Sequence, residues 1–185
     1  FLTGATSVVG AVGVGFVLVP FLSSWMPSAR AKAAGAPVDV DITKLEEGQL
    51  VRVLWRKKPV WIFKRDKTAL ANLSAQDDVL VDPDNSEDQQ PVYAKNAHRS
   101  INPEVAVIIG ICTHLGCSPT YRPEVGAADL GGDEWKGGFY CPCHGSKFDL
   151  SGRVFKGVPA PTNLVIPPYH FVNDSLIRIG IDPKA

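Results

Sequence analysis

The sequence lacks an excess of either charge, and it has little cysteine or histidine outside two short stretches. Its 19 basic and 19 acidic residues cancel, so there is no overall field to attract nucleic acid. It has no glycine-rich phosphate loop, no basic stripe interleaved with aromatic residues and no internal repeat. These absences argue against nucleotide-binding, nucleic-acid-binding and repeat-protein functions.

Charge is missing altogether from the first 29 residues, since the first charged residue is Arg30. The segment from Val8 to Trp25 is dense in valine, phenylalanine and leucine. A helix needs about 20 apolar residues to cross a bilayer. We therefore predict a transmembrane anchor over residues 1–26, with Trp25 at the membrane interface. A cleaved signal peptide is the alternative, although its apolar core is usually shorter.

The start of the chain suggests export. Phe1 is not a methionine, so we expect further residues upstream. The apolar run rich in glycine and alanine that follows Phe1 and Leu2 looks like the tail of a twin-arginine export signal, a route that carries folded proteins. We expect a single-pass protein of the bacterial inner membrane with its folded domain in the periplasm.

After the anchor, residues 27–37 have small side chains and predict a flexible hinge, and residues 38–185 predict the folded domain.

Asp66 resembles an N-cap for a short helix that ends at Ala75. The six acids between 77 and 88 predict a solvated loop. Short apolar segments bounded by turn residues predict strands at 38–42, 50–55, 60–63, 105–111, 138–140, 148–150, 153–155, 169–172 and 175–181. This pattern indicates a mostly β domain.

All four cysteines and two of the four histidines lie in two blocks. The first block reads Cys-Thr-His-Leu-Gly-Cys at 112–117, and the second reads Cys-Pro-Cys-His-Gly-Ser at 141–146. Each block offers one Cys/His ligand pair and one further cysteine. Thiolate and imidazole are together the ligands of zinc and of some iron–sulfur centres.

Three interpretations of the blocks compete. Tetrahedral zinc would use two cysteines and two histidines but leaves Cys117 and Cys143 without a role. Structural disulfides alone leave His114 and His144 without one. A [2Fe–2S] centre held by two cysteines and two histidines uses both pairs and leaves Cys117 and Cys143 free to bridge the loops. We favour the iron–sulfur interpretation.

The two blocks resemble those of the Rieske iron–sulfur proteins of bacterial cytochrome bc complexes. The stretch Gly-Val-Pro-Ala-Pro at 157–161 resembles the proline loop that covers the cluster in that family, and residues 99–110 resemble the strand that leads into the first cluster loop. The resemblance implies an antiparallel β head domain with an inserted cluster-binding part at about 110–162, plus the N-terminal helix. The residues between Cys117 and Cys141 read as a surface excursion.

The resemblance also implies which residues bind the cluster and which one contacts quinol. Cys112 and Cys141 would hold the inner iron of one [2Fe–2S] cluster, and His114 and His144 the outer iron, with Cys117–Cys143 as the disulfide. His144 would hydrogen-bond quinol and receive its first electron. Because a metal-bound imidazole keeps an ionisable N–H, we expect reduction to be coupled to proton uptake.

Neighbouring residues have expected supporting roles. Gly116 and Gly145 would pass close to the cluster sulfurs and donate N–H bonds to them. Ser146 resembles the serine that bonds a bridging sulfide. At Phe148 the high-potential members usually carry tyrosine, so we expect a lower potential here. Leu115 would dock in the quinol pocket. Gly157, Pro159 and Pro161 would belong to the loop that covers the cluster.

The remaining histidines and two tryptophans have ordinary structural interpretations. His98 and His170 have no neighbouring cysteines and are expected to be structural or surface residues. Trp55 and Trp61 lie in predicted strands and are expected in the core.

These observations favour the electron-transfer subunit of a quinol:cytochrome c oxidoreductase, an enzyme complex. The expected partners are cytochrome b, a c-type cytochrome, quinol and the membrane, within a dimeric complex. The alternative is the Rieske small subunit of a periplasmic arsenite oxidase. The second cysteine pair and the apolar run argue against a soluble Rieske ferredoxin, and a structural zinc module is the non-redox alternative.

Overall fold

The computed structural model describes residues 1–183, which form two compact units, one ending at Ala36 and the other beginning at Pro37. The first unit contains helix α1, Leu2–Ser23, and the short helix α2, Ala29–Ala34. Helix α1 is fully exposed and free of charge, and it continues through Pro20. Its 22 residues span about 33 Å. It is therefore long and apolar enough to cross a membrane.

The second unit, which we call the head, consists of three antiparallel sheets of three strands each. Its strands are β1 (Val38–Asp41), β2 (Leu50–Trp55), β3 (Lys58–Lys64), β4 (Val105–Ile109), β5 (Thr120–Arg122), β6 (Gly138–Cys141), β7 (Ser146–Asp149), β8 (Tyr169–Asn173) and β9 (Leu176–Ile179). The sheet orders are β1-β9-β8, β2-β3-β4 and β5-β6-β7. Helix α3, Lys67–Ser74, begins after Asp66, whose carboxylate accepts the Ala69 N–H at 2.6 Å. The predicted β class and this helix are confirmed.

The β2–β3 hairpin turns within two residues. Arg56 and Lys57 both have positive φ, 51° and 62°, as a type I′ turn requires. The strand predicted at 60–63 begins two residues earlier in the structure, because Lys58 and Pro59 already belong to β3.

The main core lies between the sheets. Strand β4 is buried at every position and pairs with β3 from Val60↔Ile109 to Lys64↔Val105. The indole of Trp61 stacks on Phe139 of β6 at a centroid distance of 4.6 Å, so it joins the second sheet to the third. Trp55 and Trp61 are both buried, as predicted.

Three arginines are buried inside the head, which the sequence did not suggest. Arg65 and Arg99 each donate to backbone carbonyl oxygens of three residues. Burial lowers the pKa of each to about 10, so both stay charged at neutral pH. Arg153 pairs with buried Asp149 at 2.8 Å. These bonds connect the turn after β7 to the rest of the head.

The acidic stretch 77–88 is not simply solvated. Leu80 and Asn85 are 1% exposed, and Asp77 reaches Arg153 at 2.8 Å. The carboxylate of Asp82 accepts bonds from the Ser86 N–H and hydroxyl. Two of the six acids, Asp77 and Asp82, therefore serve internal donors, while the other four face solvent.

Candidate metal centre

Two loops at the ends of buried strands carry the predicted ligands. The first loop follows β4 and contains Cys112 and His114; the second connects β6 to β7 and contains His144. Cys141 is the last residue of β6 and pairs with Ser146, the first of β7. Strand pairing therefore holds the second loop at both of its ends.

The two loops have the same backbone design. The N–H of Gly116 donates to the carbonyl oxygen of Cys112 at 3.0 Å, and the N–H of Gly145 donates to that of Cys141 at 2.9 Å. Both glycines have positive φ, +82° and +79°, a conformation that favours glycine. We expected these N–H groups to donate to cluster sulfurs. Here they close the two turns, and their role toward a cluster stays a prediction.

The disulfide links the loops. Cys117 and Cys143 are bonded across 26 residues, which confirms the predicted pair. The Cys112 N–H also donates to the Cys117 carbonyl oxygen at 2.7 Å. The two loops are therefore held together independently of any metal.

The other two cysteines are free thiols, and both are 2% exposed. Burial, together with the neighbouring Cys112, raises the pKa of the Cys141 thiol. The Cys141 sulfur lies within 4.8 Å of both disulfide sulfurs; because those are already bonded to each other, we do not count them as metal ligands. A pair of buried thiols is stable as thiolates only beside a cation.

The imidazoles of His114 and His144 lie side by side, with ring centroids 4.7 Å apart and planes at 87°. His144 is exposed and His114 half-buried. His98 and His170 are elsewhere: His170 Nδ1 lies 3.1 Å from the Ile181 carbonyl oxygen. The site thus has a buried sulfur side and a more exposed nitrogen side.

This donor set fits a [2Fe–2S] cluster with two thiolate and two imidazole ligands. The thiols need deprotonation and a positive partner, and each imidazole can offer one nitrogen while the other meets solvent. The set would also fit tetrahedral zinc by its chemistry alone.

The segment 157–161 lies over the second loop. The Ala160 N–H donates to the Ser146 hydroxyl oxygen at 3.0 Å, and both residues are buried. From the first loop, the Thr113 hydroxyl donates to the Thr162 carbonyl oxygen at 2.7 Å. Both loops therefore hold the same segment. Sequence reasoning missed Thr113 and Ala160, although both lie inside stretches that it had selected.

The predicted tuning and docking residues differ in exposure. Phe148 is fully buried opposite Phe139 in the adjacent strand. Leu115 is 70% exposed at the tip of the first loop, which is unusual for a large apolar residue beside a candidate metal site. Gly157, Pro159 and Pro161 of the cover segment are exposed.

The residues between Cys117 and Cys141 form a small packed lobe, in contrast to the predicted surface excursion. Trp135 is buried in its centre and stacks near Phe155 at 6.0 Å. Arg122 holds Asp129 through two bonds of 2.9 Å. Lys147 of β7 donates to the Leu130 carbonyl oxygen at 2.6 Å, so the lobe is attached to the strand that leaves the second cluster loop.

Family comparisons agree with this architecture. Residues 37–170 match the profile described as Rieske [2Fe-2S] domain, and residues 1–28 match the profile described as ubiquitinol-cytochrome C reductase Fe-S subunit TAT signal. The second match bears out the expected likeness to a twin-arginine export signal.

Curated relatives match over nearly the whole chain. The ubiquinol-cytochrome c reductase iron-sulfur subunit of Allochromatium vinosum is 66% identical over 98% of this chain and 87% of the relative. The subunit of the same name from Blastochloris viridis is 46% identical over 97% of this chain and 90% of the relative. A chain from a solved structure, "Hyperthermophilic respiratory Complex III", has TM-score 0.53 and 23% identity over 95% of this chain and 99% of that chain; it shares the fold.

Proposed function

Because the chain belongs to the iron–sulfur subunits of ubiquinol–cytochrome c reductase, we propose that it takes electrons from quinol and delivers them to a c-type cytochrome. The observation that carries this proposal is the pairing of two buried free thiols with two adjacent imidazoles in disulfide-linked loops. The family carries one [2Fe–2S] cluster. When bound, the cluster supplies a centre that accepts and releases one electron.

We assign Cys112 and Cys141 to the inner iron and His114 and His144 to the outer one. The buried thiolates would be shielded from water and from oxidants. Replacing two thiolates by neutral imidazoles raises the potential above that of all-cysteine ferredoxins, from about −400 mV into a range of about −150 to +300 mV. That range suits a quinol donor.

His144 is the residue proposed to meet quinol. Its ring is exposed, and a ring nitrogen that does not bind metal can hydrogen-bond a quinol hydroxyl and hold its proton. Leu115, which follows His114 in the first loop, offers an apolar surface of the kind that enters a hydrophobic pocket. We propose that Leu115 and the cover residues Gly157, Pro159 and Pro161 dock on cytochrome b.

The N-terminal unit is proposed to anchor the subunit. Helix α1 has the length and composition of a membrane span, and the match to an export signal at residues 1–28 supports a head in the bacterial periplasm. Residues 27–37 would be the hinge on which the head, residues 38–185, moves between cytochrome b and the c-type cytochrome. The complex is proposed to be a dimer.

The reductase relatives do not favour the arsenite oxidase alternative, since those named above are all reductase subunits. An experiment distinguishes a zinc site from a [2Fe–2S] site. Low-temperature EPR of the ascorbate-reduced chain, with a potential titration at several pH values, should give a rhombic Rieske signal and a potential that falls as pH rises. A silent spectrum with bound zinc would overturn the proposal.

A further inference from the structure

The β2–β3 hairpin carries four cations and no acid within seven residues: Arg52, Arg56, Lys57 and Lys58. We call these residues the basic hairpin. All four side chains are exposed. Within the part of the chain that the structure describes, none of them forms an ion pair. By contrast, Arg178 pairs with Asp39. The basic hairpin is therefore a patch of uncompensated positive charge on a chain with zero net charge.

The turn of the basic hairpin has charged residues at two positions whose backbone conformation favours other residue types. Arg56 and Lys57 occupy left-handed conformations, φ 51° and 62°, where asparagine and glycine are favoured. The Arg56 guanidinium lies over the Trp55 ring at 4.6 Å, which leaves its outer side open. Two cations at the positions where Asn-Gly would fold better suggest that the charge serves a contact.

The basic hairpin lies at the end of the head where the chain arrives from the anchor. Val38, the first residue of β1, pairs with Ile179 of β9. The next residue, Gly180, is so close to Trp55 that an added Cβ would lie 2.5 Å from its Nε1. Trp55 is in turn the residue of β2 that directly precedes Arg56. The turn is thus connected to Val38 through three residues, Ile179, Gly180 and Trp55.

We propose that the basic hairpin binds anionic phospholipid headgroups of the membrane that holds α1. The inference rests on the proposed anchor. The eleven residues 27–37 can span at most about 40 Å, so the arriving end of the head is tethered within that distance of the lipid surface. Such a surface attracts Lys and Arg within a Debye length of about 8–10 Å. Leu54, 71% exposed, can enter the headgroup region beside the cations.

The experiment uses the full chain, with its cluster, in nanodiscs of phosphatidylcholine alone or with a third of phosphatidylglycerol. Hydrogen exchange of residues 50–60 is measured by mass spectrometry. We expect slower exchange at 56–58 with phosphatidylglycerol and loss of this protection in high salt. In the double variant Arg56→Asn, Lys57→Gly the turn pair becomes the favoured one, so the hairpin stays folded. Each cation contributes about fivefold to such binding, and the contact should weaken about 25-fold.

The matched control is Lys44→Gln, Lys67→Gln, which removes two exposed cations elsewhere and should retain the protection. Equal exchange in both lipids, with the chain incorporated and its EPR signal present, overturns the inference. Protection that appears only in the assembled complex and ignores lipid charge also overturns it, in favour of an acidic protein partner. If the chain does not incorporate into nanodiscs, the proposed anchor fails and the inference falls with it.

Discussion

The hydroxyl oxygen of Ser146 accepts the backbone N–H of Ala160 at 3.0 Å, with both residues buried. This bond joins the second cluster loop to the segment that covers it. The Ser146 O–H proton has no acceptor among the residues that the structure describes, so it can point to the cluster. One side chain can thus hold the cover and tune the centre.

Ser146→Ala should loosen the cover and lower the potential. The buried Ala160 N–H loses its acceptor, which costs about 1–3 kcal/mol of stability, and the cluster loses a hydrogen bond that favours its reduced, more negative form. We expect faster hydrogen exchange at residues 157–161 together with a lower midpoint potential. Ser118→Ala, at an exposed serine in the first loop, is the control. Unchanged exchange in the Ser146 variant would contradict the role of the bond.

Phe148→Tyr should raise the potential. Phe148 lies two residues after Ser146 and is fully buried, and from the family resemblance we expect a hydroxyl there to donate to a cysteine sulfur and stabilise the reduced cluster. The measurement is an EPR-monitored redox titration. Phe155→Tyr adds the same hydroxyl in the more exposed stack with Trp135 and should leave the potential unchanged. A folded Phe148 variant with an equal or lower potential would refute the assignment.

Asp149→Asn should destabilise the head strongly. Asp149 and Arg153 are 0% and 1% exposed, so the change leaves the buried guanidinium with the half-exposed carboxylate of Asp77 as its charge partner, a loss of up to about 3–5 kcal/mol. Denaturant unfolding measures it. Asp39→Asn breaks the exposed pair with Arg178, which water screens, and should cost far less. Equal losses in the two variants would show that burial of the pair is unimportant.

Tyr169 should make stability fall in alkali. Burial raises the pKa of Tyr169 to about 12, above its value of about 10 in an unfolded chain. The folded state therefore holds the phenolic proton more tightly, and this contribution is complete below pH 10 and lost as pH rises from 10 to 12. Tyr169→Phe should reduce the slope of unfolding free energy in that window by up to about 1.4 kcal/mol per pH unit.

Tyr140→Phe is the control for the pH experiment, because Tyr140 is only partly buried, whereas Tyr169 is fully buried and burial is what raises its pKa. The Tyr140 variant shows how much of any change comes from removing a tyrosine hydroxyl as such. A Tyr169 variant with the parent slope would mean that its hydroxyl ionises as easily in the folded head as in the unfolded chain.

Local patterns in the sequence predicted much of the fold because they act through neighbouring residues. The Asp66 cap, the β2–β3 hairpin and the buried strand β4 all depend on side chains within a few positions of one another. The two cysteine blocks likewise carried the proposed ligand set, since thiol and imidazole in this spacing have few uses. The disulfide pair and the family followed from the same residues.

Only the tertiary structure decided how charged residues are used. Nothing near Arg65, Arg99 or Arg153 in the sequence says that they are buried, because their carbonyl acceptors come from distant segments. The bonds of Asp77 to Arg153 and of Lys147 to the Trp135 lobe likewise join segments that are distant in the sequence. A charge is stable inside a protein only when the fold brings its partners to it, and that meeting of distant residues is absent from local sequence patterns.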